Sequence, residues 1–458
     1  MNFFQINRYT ITLLLLNCVG VIATLIYNDT VITDMWEHLR ATYLVSLGNV
    51  PYKDFFEHHH PLLWYVFLPV MYLFPKDAVL IYYVARITAL FCFAGTLFCI
   101  YLITKRFLGG KNTFLTFLLI LGTFFPVWYV VSAFKPEAFA YLFYFTGMYY
   151  CFDYIKNKRS ADLLYCGIFF SIAFLFIQTM IFNVAFIYMV LVALYYKNKK
   201  FWQYIFLSAI IPFIVFIIIA YLLYQADMLN TYFQLNWIYN TKIDIQTPLT
   251  IWNWSLQLFA AGCVFAYLKP KSVYLNIIAF LLCGEILLVF CFHKSFPHYL
   301  FLMFIYSSLL LAVYLQTVRS KVIQHYVLGF MCACLVLNFL TVFLKNNQNK
   351  MEEYKIVNQS PKVTVLNINS QLINIYGEKY SYYELFATGL VSLDICEFKR
   401  FSDYDLKQNI IEYQYDYLAY NANKNIRSFC NAEKFTPTPD VLKYYEIVTE
   451  NLWKRKQP

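Results

Sequence analysis

About eleven apolar runs, most of them close to 20 residues long, recur along the chain and constrain its fold more than any other feature. They lie at 9–27, 83–104, 112–130, 138–155, 161–177, 181–196, 201–224, 251–268, 273–292, 299–318 and 322–344. A helix needs roughly 20 apolar residues to cross about 30 Å of hydrocarbon. The sequence therefore predicts an all-α polytopic membrane protein with about eleven transmembrane helices. A further apolar run at 61–74 is too short to span and contains prolines, so an interfacial or re-entrant helix is expected there.

The composition agrees with a membrane setting and excludes two other classes of protein. Of the 458 residues, 60% are hydrophobic and only 14% are charged. A soluble domain carries about 25% charged residues, so this chain cannot cover a soluble surface of that size. The same hydrophobicity excludes an intrinsically disordered chain.

Lysine and arginine residues in the short loops predict the orientation. One set of loops holds fourteen of them: Arg8, Lys105, Arg106, Lys111, Lys156, Lys158, Arg159, Lys197, Lys199, Lys200, Lys269, Lys271, Arg319 and Lys321. Basic loops stay in the cytoplasm, so the N-terminus is predicted to be cytoplasmic, and eleven crossings place the C-terminus outside. The first run lacks a small-residue cleavage site and is expected to remain as the first anchor. The net charge of +10 is then a topology signal and indicates no nucleic-acid partner.

The chain becomes polar from residue 345 onward. We therefore predict a transmembrane domain at 1–344 and an extracytoplasmic domain at 345–458. Segments with a strand-like pattern at 362–369, 372–376 and 415–420 predict a small α/β fold for the second domain. The two cysteines of this domain either form a disulfide, which an oxidising compartment would permit, or remain free thiols. They are Cys396 and Cys430.

The first outer loop, 28–82, gathers acidic and histidine side chains at the membrane surface. Asp34 is placed to cap an amphipathic helix, and Glu37 and His38 lie on the same helix face at its start. The sequence Glu-His-His-His at 57–60 forms a second cluster. Ionisable groups concentrated on one side of a membrane protein indicate chemistry there. The alternatives are that Asp34 is only a helix cap and that the histidine run is a solvated loop.

Three further side chains have both a functional and a structural interpretation. Arg86, near the outer end of the second run, either contacts a lipid phosphate or extends to the interface. Glu285, deep in the ninth run, either lines a substrate cavity or pairs with another polar residue. Trp237 belongs to an aromatic segment, 232–239, that is denser than an interfacial belt requires. We expect that segment to bind the donor or the acceptor.

Four motifs resemble bacterial GT-C glycosyltransferases, the relatives of protein O-mannosyltransferases and lipid A aminoarabinose transferases. Two of them are in the first outer loop: Asp-Met-Trp-Glu-His-Leu at 34–39 and Gly-Asn-Val-Pro-Tyr-Lys-Asp-Phe-Phe-Glu-His-His-His-Pro-Leu at 48–62. The others are Lys-Pro-Glu at 135–137 and His-Lys-Ser-Phe-Pro-His-Tyr at 293–299. Their order and their predicted side of the membrane agree with the family over residues 1 to about 345.

The resemblance implies an inverting transferase that takes a sugar from a polyprenyl-phosphate donor on the non-cytoplasmic face of the bacterial inner membrane. The family's candidate general base matches Asp34, and its acidic site ligand matches Glu57. The acid at the mouth of the fourth span matches Glu137, and the basic group suited to the donor phosphate matches Lys294, with His298 beside it. The implied acceptor is an envelope glycolipid such as lipid A, a polysaccharide or a protein.

The chain departs from the family pattern at two places. Many relatives have a second acid directly after the first Asp, where this chain has Met35 and then Glu37 two residues later. Aminoarabinose transferases have Lys-Pro-Pro after the Glu, where this chain has three histidines. The resemblance therefore identifies neither the sugar nor the acceptor.

Inverting transfer explains why such groups are needed. The acceptor hydroxyl displaces the lipid phosphate, so a carboxylate base contributes about 10²–10⁴-fold and a cation stabilises the leaving phosphate. We expect Asp34 to be the base, with Glu37 and Glu57 as further catalytic carboxylates. Glu57, His58 and His59 are expected to form an oxygen and nitrogen site for a divalent metal.

Two other functions share parts of this pattern. A transporter or flippase for lipid-linked saccharides favours midplane polar residues and paired repeats, whereas the polar groups here crowd one face. A polymerase or ligase of lipid-linked saccharides shares the topology and the donor, so only the motifs above separate it from a transferase.

Overall fold

The computed structural model describes residues 8–27, 33–74, 76–239, 272–292, 300–317, 321–344, 348–367, 375–377, 410, 415–419, 443–449 and 452–456. These residues are mostly helical, because a helix satisfies its backbone polar groups within one segment in hydrocarbon. The helices of the first half are α1 (Arg8–Tyr27), α2 (Thr33–Ser46), α3 (Leu62–Leu73), α4 (Ala78–Ile103), α5 (Lys111–Gly122), α6 (Phe125–Val130), α7 (Pro136–Asn157) and α8 (Ser160–Phe176). They are followed by α9 (Met180–Tyr195), α10 (Lys199–Gln225), α11 (Leu229–Phe233), α12 (Val273–Phe292), α13 (Phe301–Thr317), α14 (Lys321–Leu344) and α15 (Gln348–Val357).

The helices follow the predicted apolar runs with one interruption. The run at 112–130 is divided into α5 and α6. Pro126 lies in the first turn of α6, where its missing N–H is not needed, whereas the middle of one continuous helix would lose a hydrogen bond there. The short run at 61–74 forms α3 as predicted, with Pro69 inside it. The run at 251–268 lies outside the described residues.

Two helices in the described part of the chain are long and apolar enough to cross a membrane. They are Ala78–Leu108, which joins α4 to a π-helical turn, and Lys199–Gln225; shorter apolar helices accompany them. The second of these exposes large apolar side chains, among them Phe206 at 65%, Phe213 at 60% and Leu222 at 60%. Water-soluble surfaces rarely carry so wide an apolar patch, whereas lipid accommodates it. The number of spans and their orientation stay predictions.

The chain divides into two compact units. The first comprises Met1–Asn28, Arg86–Ala220 and Asp244–Asn346, and the second comprises Asp29–Ala85, Tyr221–Ile243 and Asn347–Pro458. The first outer loop therefore belongs to the same unit as the polar C-terminal segment. The predicted domains, 1–344 and 345–458, were drawn along the sequence and stay a prediction.

Close helix contacts and paired polar groups stabilise the first unit. Asp153 is buried near the end of α7 and pairs at 2.5 Å with both Arg106 and Arg159. This pairing explains why an acid occurs on the side that the basic loops define. Deeper in the bundle, Glu285 on α12 is buried near the polar side chain of Asn183 on α9. A polar partner for Glu285 was one of its two interpretations.

A four-stranded sheet lies in the second unit. Its strands are β1 (Val365–Asn367), β2 (Tyr417–Ala419), β3 (Tyr445–Thr449) and β4 (Leu452–Arg455), in the order β1-β2-β4-β3. β1 and β2 are parallel, and the other two pairings are antiparallel. β1 and β2 fall within predicted segments, whereas β3 and β4 were not predicted. Cys396 and Cys430 lie outside the described residues, so their pairing stays open.

Candidate functional site

Helix α2 supplies the first group of site residues. It begins at Thr33, so Asp34 lies in its first turn and not before it; the side chain of Asp34 is outside what the structure describes. From Met35 to Val45 every residue of the helix is buried, including Glu37, His38 and Arg40. We predicted an amphipathic helix with one polar face exposed. Both faces of α2 are instead buried, because partners within the second unit also cover its polar face.

Two contacts fix the position of α2. The Trp36 ring stacks on Tyr82 at 4.3 Å and on Tyr354 at 3.8 Å between ring centroids. The Arg40 guanidinium donates hydrogen bonds to the carbonyl oxygens of Ile375 (3.0 Å) and Gly377 (2.8 Å). A buried cation needs such acceptors, since an unpaired buried charge costs several kcal/mol.

A tight turn places the histidine loop, residues 57–60, beside α2. Tyr52 adopts a left-handed conformation at φ +69°, its N–H donates to Phe55 O at 3.0 Å, and Asp54 Oδ2 accepts the Val50 N–H at 2.7 Å. Short polar side chains commonly stabilise turns in this way. The turn reverses the chain so that Glu57 follows it directly.

Glu57 is the centre of the site. It is 0% exposed, and its Oε1 accepts the backbone N–H groups of His58 (2.8 Å) and His59 (3.2 Å) and contacts His59 Nδ1 at 2.6 Å. Hydrogen bonds to the ionised form stabilise a carboxylate away from water. Its other oxygen, Oε2, is buried and has no hydrogen-bond partner among the residues that the structure describes.

Glu37 and His58 complete a cluster with Glu57 and His59. His58 Nδ1 lies 3.9 Å from Glu37 Oε1 and 3.7 Å from Glu57 Oε1. One ligand atom from each of the four residues lies within 4.8 Å of all the others. Two carboxylates and two imidazoles, predicted from separate parts of the first loop, therefore converge at one place.

His38 borders the cluster in a defined tautomer. Trp64 Nε1 donates to His38 Nδ1 at 3.3 Å, so the ring proton of neutral His38 is on Nε2. The His38 and His59 rings meet edge to face with centroids 4.7 Å apart. His38 thus packs against a cluster residue and uses its Nδ1 for Trp64.

Residues of α11 and of the π-helix that follows it contact the histidine loop. The π-helix Gln234–Tyr239 continues α11. With the Asn236 amide assigned so that its nitrogen faces the histidine loop, the orientation that satisfies both ends of the amide, that nitrogen donates to the carbonyl oxygens of His59 (3.1 Å) and His58 (3.2 Å). The Tyr232 hydroxyl lies 2.9 Å from His60 Nε2, and the Tyr52 hydroxyl donates to His59 O at 2.6 Å. This segment is the aromatic one that the sequence analysis singled out.

The hydroxyl groups of these two tyrosines stay protonated at neutral pH. Burial, the neighbouring Tyr232 hydroxyl and the Glu57 carboxylate raise the pKa of Tyr52 well above its usual range. Burial raises the pKa of Tyr232 to about 12. Trp237 lies 6.5 Å from the His60 ring, between centroids. It therefore belongs to the wall of the site, and sugar stacking on it stays a prediction.

The donor set fits a divalent metal. Zn²⁺ and related ions take carboxylate oxygen and imidazole nitrogen at about 2.0–2.2 Å, and the buried Oε2 of Glu57 is one such ligand atom. Adjacent histidines on a helix would diverge. On this loop the His58 and His59 rings lie 4.0 Å apart, between centroids. The four ligand atoms, all within 4.8 Å of one another, are close enough to hold one ion together.

Other predicted site residues belong to the first unit or are not described. Glu137 is buried in the first turn of α7, where the helix dipole favours a carboxylate. Arg86 is buried and donates to the carbonyl oxygens of Leu25 (2.8 Å), Thr24 (3.1 Å) and Ser132 (3.3 Å). Its guanidinium therefore has protein carbonyl oxygens as partners, and a contact with a lipid phosphate stays a prediction. Lys294 and His298 lie outside the described residues.

Sequence reasoning missed the residues that support the histidine loop. Tyr52 lies within the motif at 48–62 but was given no role there. Asn236 belongs to no motif, and the density of aromatic residues at 232–239 was the one signal that pointed to its segment. His38 was noted on the α2 face but was not assigned to the site. All three contact the histidine loop from outside it. Asn236 is distant along the chain, His38 lies on α2, and Tyr52 lies in the turn that precedes the loop.

The mostly helical fold, its long apolar helices and the buried cluster agree with a membrane protein that carries a candidate enzymatic site in the predicted first outer loop. Residues 58–221 match the family model described as dolichyl-phosphate-mannose-protein mannosyltransferase. The match confirms the resemblance to GT-C glycosyltransferases and supports a membrane glycosyltransferase of that type that uses a lipid-linked sugar donor. It begins at His58 and includes Arg86 and Glu137. No curated protein matches the chain.

Proposed function

We propose that this protein is an inverting glycosyltransferase that moves a sugar from a polyprenyl-phosphate donor to an acceptor in the bacterial cell envelope. The acceptor is a glycolipid such as lipid A, a polysaccharide or a protein, and the reaction takes place on the extracytoplasmic face of the inner membrane. One observation carries the proposal: Glu37, Glu57, His58 and His59 form a buried cluster, and its two histidines are the first residues that match the family, just after Glu57. Charged groups are buried together at high energetic cost, which favours a functional site over a solvated loop.

Asp34 is the proposed general base. It lies in the first turn of α2, one turn before Glu37 on the same face, and the buried remainder of the helix holds that turn in place. A carboxylate there accepts the proton of the acceptor hydroxyl as this hydroxyl attacks the anomeric carbon. Glu37 and Glu57 provide the negative charge that holds a cation or protonated imidazoles at the site.

A divalent metal is the proposed cofactor, bound by Glu37, Glu57, His58 and His59. When bound, the metal supplies Lewis-acid stabilisation of the leaving phosphate. The loop residues hold and orient its ligands: Glu57 stays in place through the two backbone N–H groups that it accepts. Four residues named by the family resemblance or by the aromatic pattern are proposed to bind the substrates. They are Glu137, Trp237, Lys294 and His298.

The decisive experiment replaces two carboxylates without changing their size. Asp34→Asn and Glu57→Gln should leave the protein inserted in the membrane but lower transfer from mannosyl polyprenyl phosphate, used as the probe donor, by at least about 10²-fold. Asp77→Asn and Glu352→Gln are the matched controls, because Asp77 caps α4 and Glu352 is exposed. Full transfer by both site variants would refute the proposal.

Two further measurements test the metal and the orientation. Dialysis of the detergent-solubilised protein against a chelator should abolish transfer, and Zn²⁺ or Mn²⁺ should restore it; unchanged activity after chelation would exclude the metal. Reporter fusions at three positions test the side of the membrane and should read inside, inside and outside. The positions are Lys105, Lys199 and Lys345.

A further inference from the structure

The peptide group between His58 and His59 is held at both of its ends. Its N–H donates to Glu57 Oε1 at 3.2 Å, and its C=O accepts from the Asn236 amide nitrogen at 3.2 Å. The N–H and C=O of a trans peptide point in opposite directions. Asn236 and Glu57 therefore lie on opposite sides of the same peptide group, and that group cannot rotate without losing both contacts.

Asn236 reaches this position through the fold of its own segment. It is 0% exposed, and it lies four residues after Tyr232, so both side chains point to the same face of the helix. Tyr232 meets His60 Nε2, while Asn236 meets the carbonyl oxygens of the two preceding histidines. The π-helical turn that carries Asn236 is a type of helix distortion that often occurs at functional sites.

We infer that Asn236 is a positioning residue for the histidine loop: it holds the peptide groups of His58 and His59 so that Glu57 and the two imidazoles face one point. The expected effect of Asn236 on catalysis rests on the proposed function, whereas its role in holding the loop does not. An amide suits the task because its nitrogen carries two donors for two carbonyl oxygens. A carboxylate of the same size offers those oxygens no donor at all.

Chemical labelling of histidine tests the inference without reference to activity. The full-length protein in detergent, with chelator present, is pulsed with diethylpyrocarbonate, and labelling of His58 and His59 is read by peptide mass spectrometry. Asn236→Asp and Asn236→Ser should raise the labelling rate at both by about 10-fold, because the loop opens locally when its carbonyl groups lose their donor. Asn230→Asp is the matched control, since Asn230 is exposed on the same segment.

The outcomes separate this inference from the proposed function. Labelling of His58 and His59 within about twofold of the wild-type rate, or a rise shared equally by all labelled histidines, would overturn it. In the transfer assay both variants should lower kcat by about 10–100-fold, the range seen for residues that orient site ligands, with a smaller change in the donor KM. Absence of transfer in the wild-type protein would overturn the proposed function and leave the labelling result valid.

Discussion

Replacing Arg86 by lysine tests whether this buried cation binds substrate or holds the fold. Its guanidinium makes four hydrogen bonds, to Leu25 O, Thr24 O, Ser132 O and Ser132 Oγ, at 2.8–3.3 Å. They join the last turn of α1 to the segment just before α7. A hydrogen bond to a charged group contributes about 1.5–3 kcal/mol.

The expected loss follows from the geometry of the two side chains. A lysine ammonium is a single point and cannot reach both the α1 carbonyls and Ser132, so Arg86→Lys forfeits about two bonds, or about 3–6 kcal/mol. At roughly 2 °C per kcal/mol for a chain of this size, the melting midpoint should fall by about 6–12 °C. Transfer by the protein that remains folded should keep the wild-type donor KM.

Thermal melting of the detergent-solubilised protein, followed by size-exclusion chromatography, measures the shift. Arg159→Lys is the matched control, because Arg159 is 60% exposed and its partner Asp153 keeps Arg106; exposed pairs contribute about 0–1 kcal/mol. An unchanged melting midpoint together with a donor KM raised about tenfold would refute the reasoning. Such a rise in KM corresponds to a loss of roughly 1.4 kcal/mol in binding free energy. That result would instead assign Arg86 to the lipid phosphate.

Two other perturbations address the alkaline stability of the site and the packing of the helices. Burial raises the pKa of Tyr232 to about 12 in the folded protein, against about 10 in the unfolded chain. Its contribution to stability is therefore complete below pH 10, and about 3 kcal/mol is lost as the pH rises to 12. Unfolding measured from pH 9 to 12 should therefore show a slope smaller by about one proton in Tyr232→Phe, and an unchanged slope would contradict this. Gly20→Ala should lower the free energy of unfolding by about 1–3 kcal/mol, because a Cβ there would overlap the Trp128 ring. The control Gly329→Ala, at a position with open space around it, should be neutral or slightly stabilising. Equal effects of the two substitutions would contradict the close contact between Gly20 and Trp128.

Features that depend on neighbours along the chain could be predicted. The helix bounds follow from runs of apolar residues, and α3 follows from a run that is too short to span. The position of the site was also predictable, since Glu37, Glu57, His58 and His59 all lie within one loop. Their ionisable side chains are unusual on an apolar background, which is a purely sequential signal.

Features that depend on distant residues could not be predicted. The polar face of α2 was expected to meet water, but Arg40 binds carbonyl groups more than 330 residues further along the chain. Arg86 had two interpretations in the sequence, and only the position of the end of α1 beside it showed which carbonyl oxygens accept its hydrogen bonds. In the sequence Asn236 is one polar residue among aromatic ones. Only the tertiary structure places its amide next to the carbonyl oxygens of the histidine loop.

The sequence by itself predicted a helical membrane protein that resembles GT-C glycosyltransferases, with its candidate site in the first long loop. Hydrophobic length and the local concentration of charge carry that information, and both are readable residue by residue. The tertiary structure alone decided that two carboxylates and two imidazoles meet within 4.8 Å and that a π-helical segment holds their loop. Convergence of this kind depends on contacts between segments some 170 residues apart, and no local pattern encodes which segments will meet.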